Sequence, residues 1–112
     1  MIEENGPTMP GYTWRNAADA PVRELFPGIH ARQLWTGGNG AKAFVLDLAP
    51  NSTWDRRDVH EPGPEEVYVV SGVFNDGVRD YPAGTFLHCP AGSWHIPQTA
   101  VGCTIFVFYP EG

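Results

Sequence analysis

Residues 65–74 read EEVYVVSGVF, and this stretch carries the strongest structural signal in the chain. Residues 65–71 are rich in β-branched residues and predict a β-strand that ends at Gly72, with residues 73–74 continuing after that turn and Asn75-Asp76-Gly77 forming the next turn. Because alternate residues of a strand share a face, Glu65 points the same way as Val67 and Val69. A carboxylate on an apolar face is costly unless a charged group meets it. The stretch therefore predicts a core strand and a charged group inside the fold.

Further short strands are predicted on both sides of this one. They cover residues 29–35, 43–48, 73–74, 85–89, 94–96 and 103–109. The 112 residues include 13 glycines and 11 prolines, which leave no room for long helices. A chain of this length forms one domain. We therefore expect an all-β, antiparallel sandwich or small barrel.

The two ends of the chain differ in pattern. Residues 1–27 are predicted to form an N-terminal arm and a short irregular segment, with one helical turn over residues 17–25. Residues 28–112 are predicted to form the β-barrel domain. The last predicted strand, 103–109, reads CTIFVFY and is almost continuously apolar, so both of its faces are expected to be covered.

Charge and cysteine content exclude several classes of function. Thirteen acidic against seven basic residues give a net charge of -6, which disfavours nucleic acid and anionic membranes as partners. No apolar run approaches 18 residues and the first residues are acidic, so we expect a cytoplasmic protein. Cys89 and Cys103 form no C-x-x-C pair, and we interpret them as buried thiols on strands, not as metal ligands.

Candidate chemistry is concentrated around the central strand. Asp58 and His60 are two residues apart and can face one point in an extended segment. Glu65 follows after a Pro-Gly-Pro loop, and His95 comes after a turn at Pro90 to Gly92. A divalent metal held with imidazoles would satisfy an inward-pointing Glu65.

Two spaced motifs resemble those of the cupin superfamily. Gly84, five residues, Pro90, one residue, Gly92, two residues and His95 match the second cupin motif, with Thr99 where the family has a trailing Asn. Asp58-x-His60, four residues, Glu65, six residues and Gly72 match the first motif, with Asp58 in place of its first His. The stretches 65–74 and 80–85 are similar to the ChrR-like cupin subgroup, which includes the C-terminal domain of a zinc-binding anti-sigma factor.

The resemblance implies a jelly-roll barrel, the double-stranded β-helix, with a metal at its centre. By position, it implies the metal ligands Asp58, His60, Glu65 and His95, of which Glu65, His60 and His95 would be catalytic. Imidazole and carboxylate ligands suit Fe(II), Zn, Mn or Ni, and two His with one carboxylate leave coordination positions open. Asp58 either binds the metal or hydrogen-bonds a ligand histidine.

Three functions remain open from the sequence. The first is a metal-dependent enzyme acting on a small organic molecule, of the oxygenase (including dioxygenase) or hydroxylase type or the isomerase or cyclase type. The second is a non-catalytic metal- or ligand-binding sensor, and the third is a cupin that binds a ligand without metal. Trp54, Trp94 and His88 are candidates for lining a substrate pocket. A homodimer is expected, because small barrels commonly cover their edge strands and apolar strands by pairing.

Overall fold

The computed structural model describes residues 10–112, and the first nine positions of the predicted N-terminal arm lie outside them. Eleven strands are described. They are β1 (Val22–Phe26), β2 (Ile29–Thr36), β3 (Lys42–Leu48), β4 (Ser52–Thr53), β5 (Asp58–Val59), β6 (Glu65–Asn75), β7 (Asp80–Pro82), β8 (Phe86–Cys89), β9 (Trp94–His95), β10 (Gln98–Thr99) and β11 (Cys103–Tyr109). Short 3-10 helices lie at Ala17–Asp19 and Gly38–Gly40. The all-β prediction is confirmed.

The strands form one large antiparallel sheet and one two-stranded ribbon. The large sheet has the order β1-β2-β3-β11-β6-β10-β4, with β7 and β8 also paired to β6, and the ribbon pairs β5 with β9. At 11 residues, β6 is long enough to pair with β8 over Glu65–Tyr68 and with β7 over Val73–Asn75. Because one strand changes partners along its length, the sheet curls into a nearly closed barrel.

The core lies on the inner face of the curled sheet. On β6 the side chains of Glu65, Val67 and Val69 are buried while Tyr68 and Val70 are exposed, as the alternation predicts. The same rule places the odd-numbered residues of β11 inward. The buried apolar cluster comprises Ile29, Ala31, Leu46, Leu48, Val67, Val69, Phe74, Cys103, Ile105 and Val107.

A bulge at Val70 and Ser71, just before Gly72, keeps the second half of β6 in register with the core. The pairing with β11 shifts between Thr104 and Ile105, so that Phe74 points inward and is fully buried. Gly72 has φ +75°, and a Cβ there would lie 2.0 Å from the carbonyl oxygen of Gly102. Only glycine combines this conformation with so close an approach of two backbones.

Residues 17–26 are more ordered than the sequence predicts. Of the helical turn expected over residues 17–25, the structure forms the 3-10 helix Ala17–Asp19, where the Asn16 side chain accepts a 2.8 Å hydrogen bond from the Ala18 N–H. The strand β1 then pairs with β2, so the sheet begins at Val22 and not at residue 28. Neither 3-10 helix of residues 10–112 has the length or hydropathy to cross a bilayer.

Candidate metal centre

The candidate site lies at the end of the barrel where β6 begins and β8 and β11 end. Glu65 pairs with Cys89 across β6 and β8, and Tyr109 of β11 lies on the other side of Glu65. The β5–β9 ribbon faces this row and brings in Asp58 and His95, which are direct register partners. The β6–β8 pairing, the contact between β11 and β6, and the β5–β9 pairing therefore bring these side chains to one buried point.

His60 follows β5 and is held against the turn that precedes His95. Its N–H donates a 2.9 Å hydrogen bond to the Ser93 carbonyl, and its carbonyl accepts a 2.7 Å hydrogen bond from the Gly92 N–H. Gly92 has φ +83°, a conformation that glycine adopts without strain. The Pro-x-Gly turn thus fixes the backbone of both candidate histidines.

Four side chains meet at the centre of this arrangement. One potential ligand atom from each of His60, Glu65, Cys89 and His95 lies within 4.8 Å of the other three. The exposed fractions of His60, Glu65 and His95 are 3%, 2% and 7%, whereas Cys89 is partly buried. The structure therefore brings together three of the four ligands that the sequence predicts and adds a cysteine.

Glu65 is positioned by Tyr109. The Tyr109 hydroxyl donates a hydrogen bond to Oε2 of Glu65, which leaves Oε1 facing the histidines. Oε1 lies 3.2 Å from Nε2 of His95 and 3.6 Å from Nε2 of His60. Burial, and then the charge of Glu65, raise the pKa of Tyr109, so its hydroxyl remains a donor at neutral pH.

Three buried atoms of the cluster lack a hydrogen-bond partner within residues 10–112: Nδ1 and Nε2 of His60 and Oε1 of Glu65. An unsatisfied buried polar atom costs about 1–3 kcal/mol, so such atoms are rare unless a ligand or ion meets them. Imidazole nitrogen and carboxylate oxygen are suitable ligands for Zn, Fe, Mn and Ni. The residues present therefore fit a bound divalent metal ion.

The two histidines differ in their charge preference. Burial lowers the pKa of His60, although Glu65 opposes this, and the neutral imidazole is the form that binds metals. Burial also acts to lower the pKa of His95, but its closeness to Asp58, Cys89 and Glu65 outweighs this and raises the pKa to about 11.

Asp58 lies beside the cluster and contacts it through His95. Its Oδ2 is 3.2 Å from Nε2 of His95, and its side chain remains 23% exposed. Of the two roles that the sequence leaves open for Asp58, the structure contains the hydrogen bond to a candidate ligand histidine. Asp58 is not among the four residues whose ligand atoms converge.

The three candidate pocket residues lie in different surroundings. The Trp54 ring packs against Phe26 at 4.5 Å and covers the apolar core. The Trp94 ring is half-exposed next to His95, with the Arg57 guanidinium 4.1 Å from its centre. His88 points to the outer face of β8, where its Nδ1 lies 2.7 Å from the Glu66 carboxylate. The His88 side chain therefore points away from the cluster.

Sequence reasoning missed Cys89 and Tyr109. The sequence pattern predicts a buried structural thiol at Cys89 and a site without a sulfur ligand. The alternation of side chains along each strand indicates an inward direction for both residues. Cys89 alternates with the outward-facing His88, and Tyr109 falls on the same face of its strand as Ile105 and Val107. What the sequence did not contain was the pairing that places both beside Glu65.

The chain is similar to one known protein family and to several solved structures. A family model described as "ChrR Cupin-like domain" matches residues 12–111. A comparison with curated protein sequences finds no match. Among solved structures, one similar chain belongs to the complex of SigE with the anti-sigma ChrR from Rhodobacter sphaeroides, with 25% identity and a TM-score of 0.71. That match covers 85% of this chain and 51% of the other, so this chain spans about half the length of that relative.

Two further solved structures share the fold at lower identity. The polyketide cyclase RemF from Streptomyces resistomycificus has 19% identity and a TM-score of 0.75, and the match covers 90% of this chain and 80% of RemF. A candidate acetylacetone dioxygenase from Methylibium petroleiphilum has 14% identity and a TM-score of 0.78, with coverage of 93% and 80%. At these identities the similarity demonstrates the common barrel.

Proposed function

The chain belongs to the ChrR-like cupin family, and on that premise we propose that it is a metal-dependent enzyme acting on a small organic molecule. His60, Glu65 and His95 would hold a divalent ion, Fe(II), Zn, Mn or Ni, at the end of the barrel. The observation that carries the proposal is the group of three unpartnered buried atoms on His60 and Glu65. Such atoms are costly in a protein that never binds an ion.

The residues around the ion have separable tasks in this proposal. His60 supplies a neutral imidazole, and Glu65 supplies a carboxylate oxygen whose direction Tyr109 sets through its hydrogen bond. Asp58 would place a second negative charge beside the ion, next to Nε2 of His95. When bound, a divalent ion supplies Lewis-acid chemistry that polarises an oxygen atom of the substrate. Three protein ligands leave positions open for that oxygen.

Substrate entry is proposed on the side of the β5–β9 ribbon. Trp94 adjoins His95, is half-exposed and carries a guanidinium over its ring, so it can contact an apolar or anionic organic molecule near the ion. Trp54 would form the apolar wall of the pocket that adjoins the core, because its ring packs on Phe26. The outward orientation of His88 does not support a pocket role for that residue.

The reaction type is either an oxygenase or hydroxylase reaction, including dioxygenase chemistry, or an isomerase or cyclase reaction. Solved structures with this fold include a cyclase and a candidate dioxygenase. The second candidate function is a metal- or ligand-binding sensor without catalysis, which the family match and the likeness to the ChrR complex favour. A cytoplasmic location is proposed for either function, in keeping with two free cysteines.

Metal analysis combined with turnover assays tests the proposed function. We expect the purified protein to contain, or to take up, one equivalent of Fe(II), Zn, Mn or Ni. It should then consume oxygen or convert substrate when supplied with phenols, keto acids or acetylacetone. His95→Ala should lose the metal, whereas His88→Ala, a histidine on the outer face, should retain it. Metal without turnover would favour the sensor, and a protein that takes up no metal would contradict the metal-dependent enzyme and leave a cupin that binds a ligand without metal.

A homodimer is proposed on the basis of the outer face of the sheet. Phe86 pairs with Tyr68, and Tyr68 pairs with Phe106, which places three aromatic rings in one row across β8, β6 and β11. Phe86 is 63% and Tyr68 is 45% exposed. Light scattering should give the mass of a dimer for the wild type and of a monomer for Phe86→Asp. A monomeric wild type would contradict this proposal.

A further inference from the structure

We propose that Cys89 is a metal ligand of this site, so that the ion is held by two imidazoles, one carboxylate and one thiolate. The inference rests on the proposed metal function and adds a sulfur donor to it. It assigns to Cys89 the position that the sequence pattern left to Asp58.

The strand β8 delivers the Cys89 side chain to the interior. Leu87 and Cys89 point inward, whereas His88 between them is on the outer face with Glu66. Cys89 is also the direct register partner of Glu65, whose carboxylate lies at the centre of the cluster. Neighbouring side chains on one face of paired strands are about 4.5–5.5 Å apart at their Cβ atoms. Cys89 and Glu65 are therefore placed to bind one ion together.

The cluster around the sulfur is built for a ligand. All four ligand atoms lie within 4.8 Å of one another, and bonds to zinc are about 2.0–2.3 Å long for nitrogen, oxygen and sulfur. One ion therefore fits among them with shifts of a few tenths of an ångström. Independently of Cys89, the unpartnered atoms of His60 and Glu65 are almost completely buried and belong to the same cluster.

Asp58 is less suited than Cys89 to be the fourth ligand. Its carboxylate is occupied by the contact with Nε2 of His95 and keeps partial exposure to solvent. Asp58 Oδ2 and Glu65 Oε1 both lie 3.2 Å from the same nitrogen, Nε2 of His95, so Asp58 lies at the side of the cluster. The Asp58 oxygens do not converge with the ligand atoms of the other residues, whereas the sulfur of Cys89 does, so the thiolate completes the ligand set.

The mixed donor set narrows the choice of metal. A thiolate favours zinc and ferrous iron over magnesium and manganese, which prefer oxygen ligands. On binding, the S–H bond of Cys89 breaks, its proton passes to solvent and the sulfur electron pair binds the ion. With four protein ligands a tetrahedral zinc ion would keep no open position, whereas a ferrous ion of higher coordination number would keep positions for a substrate.

Cys103 provides a matched control within the same chain. It is also a buried thiol on a strand, but it pairs with Leu48 and Gly72 towards the other end of β6 and is not part of the cluster. Burial raises its pKa to about 11, so it stays a thiol at neutral pH. A signal from sulfur bound to metal can therefore be assigned by comparing the two cysteines.

Cobalt(II) spectroscopy tests the inference directly, because cobalt replaces zinc and produces a thiolate-to-metal charge-transfer band in the near ultraviolet. We expect this band in the wild type and in Cys103→Ala. In Cys89→Ser the band should disappear and cobalt affinity should fall by more than about tenfold. In the wild-type protein, bound zinc should also protect Cys89 from alkylation by iodoacetamide, as measured by mass spectrometry.

The possible outcomes separate the inference from the proposed function. If the wild type binds cobalt without a charge-transfer band and Cys89 stays open to alkylation, the thiolate ligand is refuted while the metal site stands. If the wild type binds neither cobalt nor zinc, both are refuted. If Cys89→Ser fails to fold, the wild-type band and the alkylation pattern still decide the question.

Discussion

Replacing Glu65 by Gln should abolish most of the stabilisation that zinc gives to this protein. Glu65 is 2% exposed, and its Oε1 lies between the two candidate histidines without a hydrogen-bond partner. Glutamine has nearly the same size, and its amide oxygen can still accept the hydrogen bond from Tyr109. The substitution therefore removes the negative charge from the site while it preserves the packing around it.

The size of the effect follows from linkage between binding and folding. A ligand present at 100 times its Kd stabilises the folded state by about 2.7 kcal/mol. For a domain of this length, 1 kcal/mol shifts Tm by about 4 °C, so zinc should raise Tm of the wild type by about 10 °C. Loss of a residue that only supports a ligand weakens binding by up to about 100-fold, and loss of the ligand itself should cost at least that. At the same zinc concentration, the variant then gains only about 0.4 kcal/mol, or about 2 °C.

Thermal unfolding followed by circular dichroism measures this difference after metal has been removed with a chelator. Glu66→Gln is the matched control, because Glu66 is the next residue but points to the outer face and contacts the half-exposed His88. It should show the full increase in Tm with zinc. An equal increase in Glu65→Gln and wild type would refute the reasoning, since zinc would then bind outside the cluster.

Three further substitutions test the support of the site and the fold. Asp58→Asn should keep the protein folded but weaken zinc binding by about 10–100-fold, as measured by competition with a chelating dye, because a negative charge next to the cluster is lost. Tyr109→Phe should lower the free energy of unfolding by about 1.5–3 kcal/mol in urea, since it deletes a hydrogen bond to a buried carboxylate. Gly72→Ala should lower it by more than Gly84→Ala in the same assay, because a Cβ at Gly72 would clash with a backbone carbonyl.

For each of these three predictions, a control variant or a specific result would contradict the expected effect. Asp55→Asn removes an exposed carboxylate paired with Arg56, so a loss of zinc affinity as large as in Asp58→Asn would point to a general charge effect. For Tyr109→Phe, an unchanged urea midpoint would show that the hydrogen bond contributes nothing net. Gly84 has φ +93° but open space around its Cβ, so equal losses at both glycines would leave only the backbone conformation as the cause.

Local patterns of the sequence predicted the strands well. The alternation in β6 correctly placed Glu65, Val67 and Val69 on the buried face. The turn predicted at Gly72 is wrong, because β6 continues through it to Asn75, and Asp80–Pro82 forms a strand where a connection is expected. The pattern failed at the N-terminus, where residues 22–26 form a strand. Its residues are half-exposed or exposed, and such an edge strand is stabilised mainly by pairing with β2, which a local pattern does not encode.

The sequence by itself determined which residues could point into the barrel, because parity along a strand is a local property. It thereby identified His60, Glu65 and His95 as candidates for one site. Only the tertiary structure decided which neighbours meet them, since the register of β8 against β6 and of β5 against β9 joins residues 24 and 37 positions apart. That register brought Cys89 beside Glu65 and set Asp58 against His95, and it turned a pattern of two histidines and two carboxylates into a buried cluster that includes sulfur.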